Sequence, residues 1–203
     1  DIVVHAAGIN TRETADNVTD EGWDITLNLN LAAPFFLSQA LVSGMKAKGW
    51  GRIVNFASLQ TTRAFPGGVS YGASKAGIAQ LTRAMAEAWS GFGINTNAIG
   101  PGFFPTELTG PVFADAERSA RNAAQTCIGR NGDLSDIDGP LLFLCSQASA
   151  YVTGQVLMVD GGKALEPDAA RRRDALAATD PAGWGNPVRE DWMAPQYATP
   201  PGQ

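Results

Sequence analysis

Residues 52–75 read RIVNFASLQTTRAFPGGVSYGASK. The apolar run at Arg52–Ala57 is typical of a buried strand, and the Pro-Gly-Gly in the loop at residues 59–70 interrupts regular structure. Apolar residues then recur at helical spacing, which predicts a helix from about Ser70 to Trp89 that ends before two glycines. This stretch therefore has the order strand, loop, helix.

The same alternation of strands and helices extends over residues 2–159. Further strands are predicted at Ile2–Val4, Ile94–Ile99 and Gln155–Val159, and further helices at Leu31–Lys48, Asp115–Thr126 and Leu134–Ser146. The short apolar run at Ile2–Val4, stopped by a turn, is typical of a buried strand. The alternation predicts a single-domain α/β fold with a doubly wound, Rossmann-like parallel sheet, in which ligands bind at the carboxyl ends of the strands.

A tyrosine and a lysine stand four residues apart at the start of the predicted helix. Tyr71 and Lys75 share one helix face, so the ammonium can favour the phenolate of the tyrosine. Ser58, thirteen residues before Tyr71, offers a second hydrogen bond to a substrate oxygen. Together these groups can exchange a proton with a carbonyl or alcohol oxygen. A Tyr-x-x-x-Lys pair alone is also found on solvated helix faces, so the interpretation depends on the surrounding motifs.

From residue 1 to about residue 162, the chain resembles the short-chain dehydrogenase/reductase family. The stretches that carry the resemblance are HAAG at 5–8, Trp23 to Leu31, RIVNFAS at 52–58, Tyr71 to Lys75, NAIGPG at 97–102 with Thr106, VTG at 152–154 and VDGG at 159–162. In the first of these, His5 and Ala6 replace two asparagines of the family pattern. The turn after the first strand is therefore expected to be looser or to be held differently.

The resemblance implies a role for each of four residues. Tyr71 is the expected acid/base, Lys75 is its electrostatic partner and also binds the nicotinamide ribose, and Ser58 orients the substrate oxygen. The charge of Lys75, together with that of oxidised nicotinamide, is expected to depress the pKa of Tyr71. Asn30 is expected to hold a water that relays the proton to solvent. Asn28 competes for this role, and the surrounding family pattern favours Asn30.

The resemblance also implies a cofactor, NAD or NADP, which supplies the hydride chemistry, and it implies no metal. The expected cofactor contacts are Ala7, Gly8, Tyr71, Lys75, Pro101, Gly102 and Thr106. The expected substrate contacts are Ser58, Gln60, Tyr71 and Phe103, with Phe104 shaping the pocket. A Pro-Gly pair by itself indicates only a turn, so the contacts at Pro101 and Gly102 rest on the family pattern.

Within the family, three stretches are most similar to gluconate 5-dehydrogenases and related sugar-acid or polyol reductases. They are AEAW at 86–89, GPGFFPTEL at 100–108 and IGRNG at 128–132. The resemblance implies a small-molecule substrate, a sugar acid or polyol whose secondary alcohol is interconverted with a ketone. A carboxylate needs a cation. Arg63 and Arg130 are the candidates, although each also fits an ordinary surface position.

The glycine-rich turn with which the family begins, and whose amides hold the cofactor pyrophosphate, is not in this sequence. The resemblance therefore implies that residues 1–162 are the C-terminal two-thirds of an N-terminally truncated domain. Residues 163–203 are expected to be an extension that is mobile or partly helical. Two functions stay open at this point: an oxidoreductase that forms a homodimer or homotetramer through the helices at 31–48 and 71–90, and a non-catalytic remnant that acts only as an association module.

Composition and charge argue against several other classes of protein. The formal net charge of −5 and the lack of an Arg/Lys cluster before residue 171 disfavour a nucleic-acid surface. No apolar run approaches the ~20 residues that span a bilayer, and no secretory signal is visible, so a cytoplasmic location without membrane contact is expected. Cys127 and Cys145 lack metal-ligand spacing and are interpreted as small apolar residues. His5 is the only histidine, which argues against a histidine-based metal site.

Overall fold

The computed structural model describes residues 1–165, which form one parallel sheet flanked by helices. The strands are β1 (Ile2–His5), β2 (Gly51–Phe56), β3 (Ile94–Pro101) and β4 (Val156–Val159). The helices are α1 (Asp20–Leu27), α2 (Ala33–Lys48), α3 (Val69–Trp89), α4 (Gly110–Phe113), α5 (Ala116–Ala124) and α6 (Asp138–Cys145). Of the extension predicted at residues 163–203, all but the first three residues lie outside the described range.

The strands lie in the order β1-β2-β3-β4, and each neighbouring pair is parallel. In the register, Val3 pairs with Ile53, Ile53 with Thr96, and Ile99 with Leu157. Because all four strands run in the same direction, their carboxyl ends lie along one edge of the sheet. The parallel α/β fold predicted from the sequence is confirmed.

Helices cover both faces of the sheet, as a doubly wound fold requires. The core on one face joins β2 and β3 to α2 and α3 through Ile53, Ile94, Val42, Met45, Met85 and Trp89. The core on the other face joins the strands to α6 through Val54, Ile99 and Leu144. Successive residues of a strand point to opposite faces, and β2 and β3 are buried almost throughout because helices cover both of their faces.

Two predicted elements differ from those observed. The strand predicted to be buried at Ile2–Val4 is an edge strand: among the described strands β1 pairs with β2 alone, and Ile2 is 48% exposed. The helix predicted at Leu134–Ser146 divides into a 3₁₀ turn, Leu134–Ile137, and α6. Pro140 explains the division, because proline has no N–H for an α-helical bond and is tolerated only in the first turn of a helix.

Helices α1 and α2 form one continuous run, Asp20–Lys48, through a π-helical turn at Asn28–Ala32. Pro34 has no N–H to donate to the Asn30 carbonyl four residues earlier, and the helix widens into the π turn just before this proline. By length and composition the run could cross a membrane, since an 18-residue window within it has a mean hydropathy of 1.4, although a core helix of a soluble protein meets the same criteria. The sequence prediction that no segment spans a membrane counts unbroken apolar stretches. In this helix asparagine, serine and glutamine interrupt the apolar stretch but carry no charge, so the hydropathy stays high.

The end of β3 approaches the segment after β4 so closely that only a glycine fits. The Gly102 N–H donates to the Val159 carbonyl at 2.9 Å. A Cβ added to Gly102 would lie 2.8 Å from the Cα of Asp160. The obstructing atom belongs to the backbone and cannot rotate away, so this contact sets the spacing of the two strand ends.

We expect Gly102→Ala to lower the free energy of unfolding by roughly 1–3 kcal/mol, the usual cost of overpacking. The matched control is Gly44→Ala in the interior of α2, where an added Cβ meets no atom within 4 Å. Alanine favours helix over glycine, so the control should gain about 0.5–1 kcal/mol. Urea denaturation of the three proteins measures both effects, and a Gly102→Ala protein as stable as the wild type would contradict the close approach.

Candidate active site

A large cavity of about 830 Å³ opens at the carboxyl ends of the strands. Its walls come from the segments that follow β1, β2 and β3 and from the start of α3. Of the site residues predicted from the sequence, those that line it are Gly8, Ser58, Gln60, Tyr71, Lys75, Pro101, Gly102, Phe103, Phe104 and Thr106. The parallel topology therefore brings the predicted catalytic, cofactor and substrate contacts into one cavity.

Ser58 is placed by a tight turn directly after β2. Its Oγ accepts a hydrogen bond from the Gln60 N–H at 3.1 Å, and its own N–H donates to Thr61 Oγ1 at 3.2 Å. These reciprocal bonds form a capping box at the start of the 3₁₀ turn Leu59–Thr61. They fix the position of the Ser58 hydroxyl, which hydrogen-bonds to the phenol of Tyr71.

Tyr71 lies in the first turn of α3 and is 8% exposed. Burial raises the pKa of its phenol above the ordinary value, and the hydrogen bond from Ser58 acts in the opposite direction. The net direction is upward because removal from water penalises the phenolate more than the serine stabilises it. The depression expected from Lys75 together with oxidised nicotinamide stays a prediction for the cofactor-bound site.

Lys75 follows Tyr71 by one helical turn and is also buried. Its Nζ donates to the Phe56 carbonyl at 2.7 Å and lies 5.7 Å from the centre of the Tyr71 ring. Burial lowers the pKa of Lys75 to about 8. The lysine therefore joins α3 to the carboxyl end of β2 and carries a charge that is lost at mildly alkaline pH.

Asn30 is 1% exposed, and protein groups occupy its side-chain amide. Its Nδ2 donates to the Ile9 carbonyl at 2.9 Å and to Ser74 Oγ at 3.0 Å, while its Oδ1 accepts from the Ile9 N–H at 2.9 Å. The side chain therefore ties the segment after β1 to α3, and it is not the group that could hold a relay water. Asn28, the competing candidate from the sequence, is exposed.

The turn after β1 has a second attachment through the residue that departs from the family pattern. His5 Nε2 shares a hydrogen bond of 2.8 Å with Ser38 Oγ on α2, and burial lowers the pKa of His5. A Cβ added to Gly8 in this turn would lie 3.3 Å from Asn30 Oδ1 and 3.5 Å from Lys75 Nζ. Glycine thus lets the backbone approach the catalytic lysine closely.

The other predicted cofactor contacts divide into two groups. Pro101, Gly102 and the exposed Thr106 line the cavity on the β3 side. On the β1 side, Gly8 and Ala6 line it, whereas the predicted Ala7 does not. Successive residues of an extended segment point in opposite directions, which explains why Ala6 takes the place expected for Ala7.

The arginines that line the cavity are not the ones predicted. Arg130 forms an ion pair with Asp136 at 2.6 Å, and neither Arg130 nor Arg63 is part of the cavity lining. Arg12 and Arg118 do line it. No periodic pattern marks these two residues, because one lies in an irregular segment and the other on a short polar helix.

Arg12 owes its position to an unusual backbone conformation. Its φ of 59° lies in the left-handed region, which residues other than glycine rarely adopt. The Arg12 N–H donates to Asn10 Oδ1 at 3.0 Å, and its guanidinium donates to the Leu108 carbonyl across the cavity mouth. Conformations of this kind cost about 1–3 kcal/mol and concentrate at functional sites.

A parallel α/β fold that places a half-buried serine beside a buried tyrosine and a buried lysine, in one cavity at its strand ends, is the arrangement typical of the short-chain dehydrogenase/reductase class. A family model described as enoyl-(acyl carrier protein) reductase matches residues 1–164. The chain belongs to the short-chain dehydrogenase/reductase family.

Individual relatives place the resemblance more closely. The chain is 43% identical over 166 residues to a 2-dehydro-3-deoxy-D-gluconate 5-dehydrogenase from Escherichia coli, covering 80% of this chain and 64% of that protein. It is 40% identical over 162 residues to the gluconate 5-dehydrogenase of Gluconobacter oxydans, covering 80% and 63%. A solved gluconate 5-dehydrogenase from Burkholderia cenocepacia, in complex with NADP and tartrate, superposes with a TM-score of 0.79 at 37% identity, covering 82% of this chain and 65% of that one. The chain thus spans just under two thirds of the length of these relatives.

The depressed pKa of Lys75 makes a prediction about stability. The pKa is about 8 in the folded protein and 10.5 ordinarily, so between these values the unfolded state binds more protons and folding becomes more favourable as pH rises. Each pKa unit is worth about 1.4 kcal/mol. We expect the stability of the wild type relative to Lys75→Met to increase by roughly 3 kcal/mol across this window.

Urea denaturation at a series of pH values measures this difference in the free energy of unfolding. Taking the difference between the two proteins removes the contributions of titrating groups that both contain. Ser74→Ala is the control, because it removes a buried hydroxyl from the same helix and adds or removes no charge. Its effect should be the same at every pH. A wild-type to Lys75→Met difference that is independent of pH would show that Lys75 keeps its ordinary pKa.

Proposed function

We propose that this protein is an NAD(P)-dependent oxidoreductase that interconverts a secondary alcohol and a ketone on a sugar acid. The observation that carries the proposal is the Tyr71 phenol, buried beside the Ser58 hydroxyl and one helical turn from Lys75, in a cavity of about 830 Å³. A neutral phenol at this position can give a proton to a carbonyl oxygen, and its phenolate can take one from an alcohol.

The residues around Lys75 fit a nicotinamide cofactor. Gly8 leaves the backbone open beside the Lys75 ammonium, and Pro101, Gly102 and Thr106 form the opposite wall. Lys75 is placed to hold a ribose hydroxyl and Thr106 a phosphate or carboxamide group. When bound, the cofactor supplies hydride acceptance and donation. The similar protein from Burkholderia cenocepacia was solved with NADP and tartrate, which supports both this class of cofactor and a hydroxy-acid ligand.

Each catalytic side chain then has a separate task. Ser58, held by its capping box, orients the substrate oxygen, and Tyr71 exchanges the proton with it. Burial raises the pKa of the phenol, and the hydrogen bond from Ser58 acts in the opposite direction. The proton reaches solvent by a water on the backbone carbonyl of Asn30, since the Asn30 amide is engaged and Pro34 has no N–H for that carbonyl.

The carboxylate of the substrate meets Arg12. Unlike Arg63 and Arg130, Arg12 lines the cavity, and a guanidinium binds a carboxylate through charge-assisted hydrogen bonds. Arg118 lines the cavity from α5 and adds positive potential. A sugar acid is therefore favoured over a neutral polyol.

We also propose a homo-oligomer and a reducing compartment such as the cytoplasm. Helices α2 and α3 present the long surfaces through which the resemblance implies pairing, and Phe36, Leu37 and Leu41 of α2 are exposed. Exposed apolar clusters of this kind are typical of interfaces. The two cysteines, Cys127 and Cys145, are both free thiols, which fits a reducing environment.

The first test is Tyr71→Phe, assayed with D-gluconate and NADP⁺. Loss of the proton-transfer group should lower kcat by about 10²–10⁴-fold, while the dissociation constant of NADP, measured by calorimetry, stays the same because the phenol acts on the substrate oxygen. A variant that keeps more than about a tenth of the wild-type rate would contradict the assignment. A folded wild type that neither turns over nor binds nucleotide would favour the association module instead.

A second test separates sugar acids from neutral polyols. Arg12→Gln should raise KM for D-gluconate by about tenfold or more, since a charged hydrogen bond is worth about 1.5–3 kcal/mol. KM for sorbitol should change little. Arg83→Gln, which removes an exposed arginine from α3, is the matched control. Equal effects of Arg12→Gln on both substrates would exclude a contact with the carboxylate.

A further inference from the structure

Lys163 is a buried cation that the catalytic residues do not explain. It lies four residues beyond the end of β4 and is 2% exposed. Its Nζ donates to the Asn122 carbonyl at 3.3 Å, to Asn122 Oδ1 at 2.9 Å and to Gln125 Oε1 at 2.9 Å. All three donors of the ammonium are used, and none of these acceptors is a carboxylate. Lysine is seldom fully buried without a charged partner, so this contact is costly to keep.

The three acceptors lie at the C-terminal end of helix α5 and just beyond it. The Asn122 carbonyl is one of the last carbonyls of α5, which have no partner within the helix. An ammonium at this end satisfies the carbonyl and interacts favourably with the helix dipole. Lys163 therefore caps a helix that is more than 35 residues away in the sequence.

Helix α5 has few other means of attachment, because none of its residues is buried. A second polar tie comes from Asn131, whose Nδ2 donates to the Ser119 carbonyl and to Ser119 Oγ, each at 3.0 Å. Since apolar packing contributes little, polar contacts hold the helix in place. Arg118 of this helix lines the catalytic cavity, so the position of α5 affects the site.

Lys163 also belongs to a closed ring of contacts at the wall of the cavity. Its Nζ lies 4.6 Å from the centre of the Phe103 ring, and Phe103 packs edge-on against Phe65 with 6.4 Å between ring centres. Arg63 lies over the Phe65 ring at 5.8 Å and donates to the Lys163 carbonyl at 2.8 Å. Phe65 and Phe103 line the cavity. The four contacts therefore connect the loops after β2, β3 and β4 behind these two aromatic side chains.

We propose that Lys163 is a positioning residue that holds helix α5 and the Phe103 ring in the arrangement that binds substrate. The proposal rests on the proposed function only in taking this cavity as the substrate site. Lys163 does not touch the reacting atoms. Its removal should free α5 from its cap and Phe103 from its cation, and should weaken substrate binding more than it slows the chemical step.

The charge of Lys163 is itself sensitive to pH. Burial and the neighbouring Arg63 lower the pKa of Lys163 to about 8, while Asp160 acts in the opposite direction. The groups that α5 and the β3 segment present to it are the uncharged Asn122, Gln125 and Phe103. Because the pKa in the folded protein lies below the ordinary value, the cost of keeping this lysine buried falls as the pH rises past about 8 and the amine loses its charge.

The test compares Lys163→Met with the wild type by hydrogen exchange and by kinetics. Amides at residues 116–125 should exchange about tenfold faster in the variant, whereas those of α3 stay unchanged. KM for D-gluconate should rise by about tenfold, with kcat within about twofold. The matched control is Lys46→Met, which removes the ammonium of a half-buried lysine lying 4.4 Å from the centre of the Phe92 ring.

A pH series adds a readout that a purely structural lysine would not move. Opening of this region exposes Lys163 and returns its pKa toward 10.5, so between about pH 8 and about pH 10.5 the open form binds more protons and the closed form is increasingly favoured. In the wild type, exchange at 116–125 relative to the intrinsic rate should therefore slow across this window, and in Lys163→Met this change should be absent. If Lys163→Met does not fold, the double variant Asn122→Ala/Gln125→Ala removes two of the three acceptors and tests the same contact.

Unchanged exchange at 116–125 in a folded variant would overturn the proposal, whatever the substrate proves to be. Faster exchange with an unchanged KM would overturn the link to substrate binding. Because the exchange experiment requires no turnover, failure of the proposed function and failure of this proposal are distinguishable.

Discussion

The hydrogen bond from Lys75 Nζ to the Phe56 carbonyl, 2.7 Å long, is the contact on which the site depends. It joins helix α3 to the carboxyl end of β2. Ser58 stands two residues beyond Phe56, and Tyr71 stands one helical turn before Lys75. One buried contact therefore sets the distance between the serine and the tyrosine. Burial strengthens the bond and lowers the pKa of the lysine that makes it.

Two further polar residues, Asn97 and Thr153, fix the position of the segment that leads into β4. Asn97 of β3 donates to the Val152 carbonyl at 2.8 Å and accepts from the Gln155 N–H at 3.0 Å. Thr153 Oγ1 accepts from the Thr96 N–H at 3.2 Å. Several of the residues that carry the family resemblance are thus structural: they satisfy buried backbone groups where β4 begins, far from the reacting atoms.

The sequence was most informative where local pattern decides structure. The alternation of strands with helices placed β2 and β3, helical spacing placed α3, and the interval between Tyr71 and Lys75 put both on one face. The sequence was uninformative where position depends on irregular backbone or distant contacts. Arg12 reaches the cavity through a left-handed backbone conformation, and Lys163 binds a helix some 40 residues earlier. The upward effect of burial on the Tyr71 pKa is likewise a tertiary property that local pattern does not reveal.

The π turn at Asn28–Ala32 has a consequence for how this region tolerates change in length. A π turn holds one residue more than an α turn, so it acts as a one-residue insertion inside the run from α1 to α2. Because the wide turn absorbs this extra residue, the two sides of the run keep nearly the relative rotation of an unbroken α-helix. Asn30 and the buried Ser38 can therefore face Ile9 and His5 together. Deleting one residue inside the turn would restore regular α-helix without rotating the two sides, whereas a deletion elsewhere in the run would rotate one side by about 100° relative to the other.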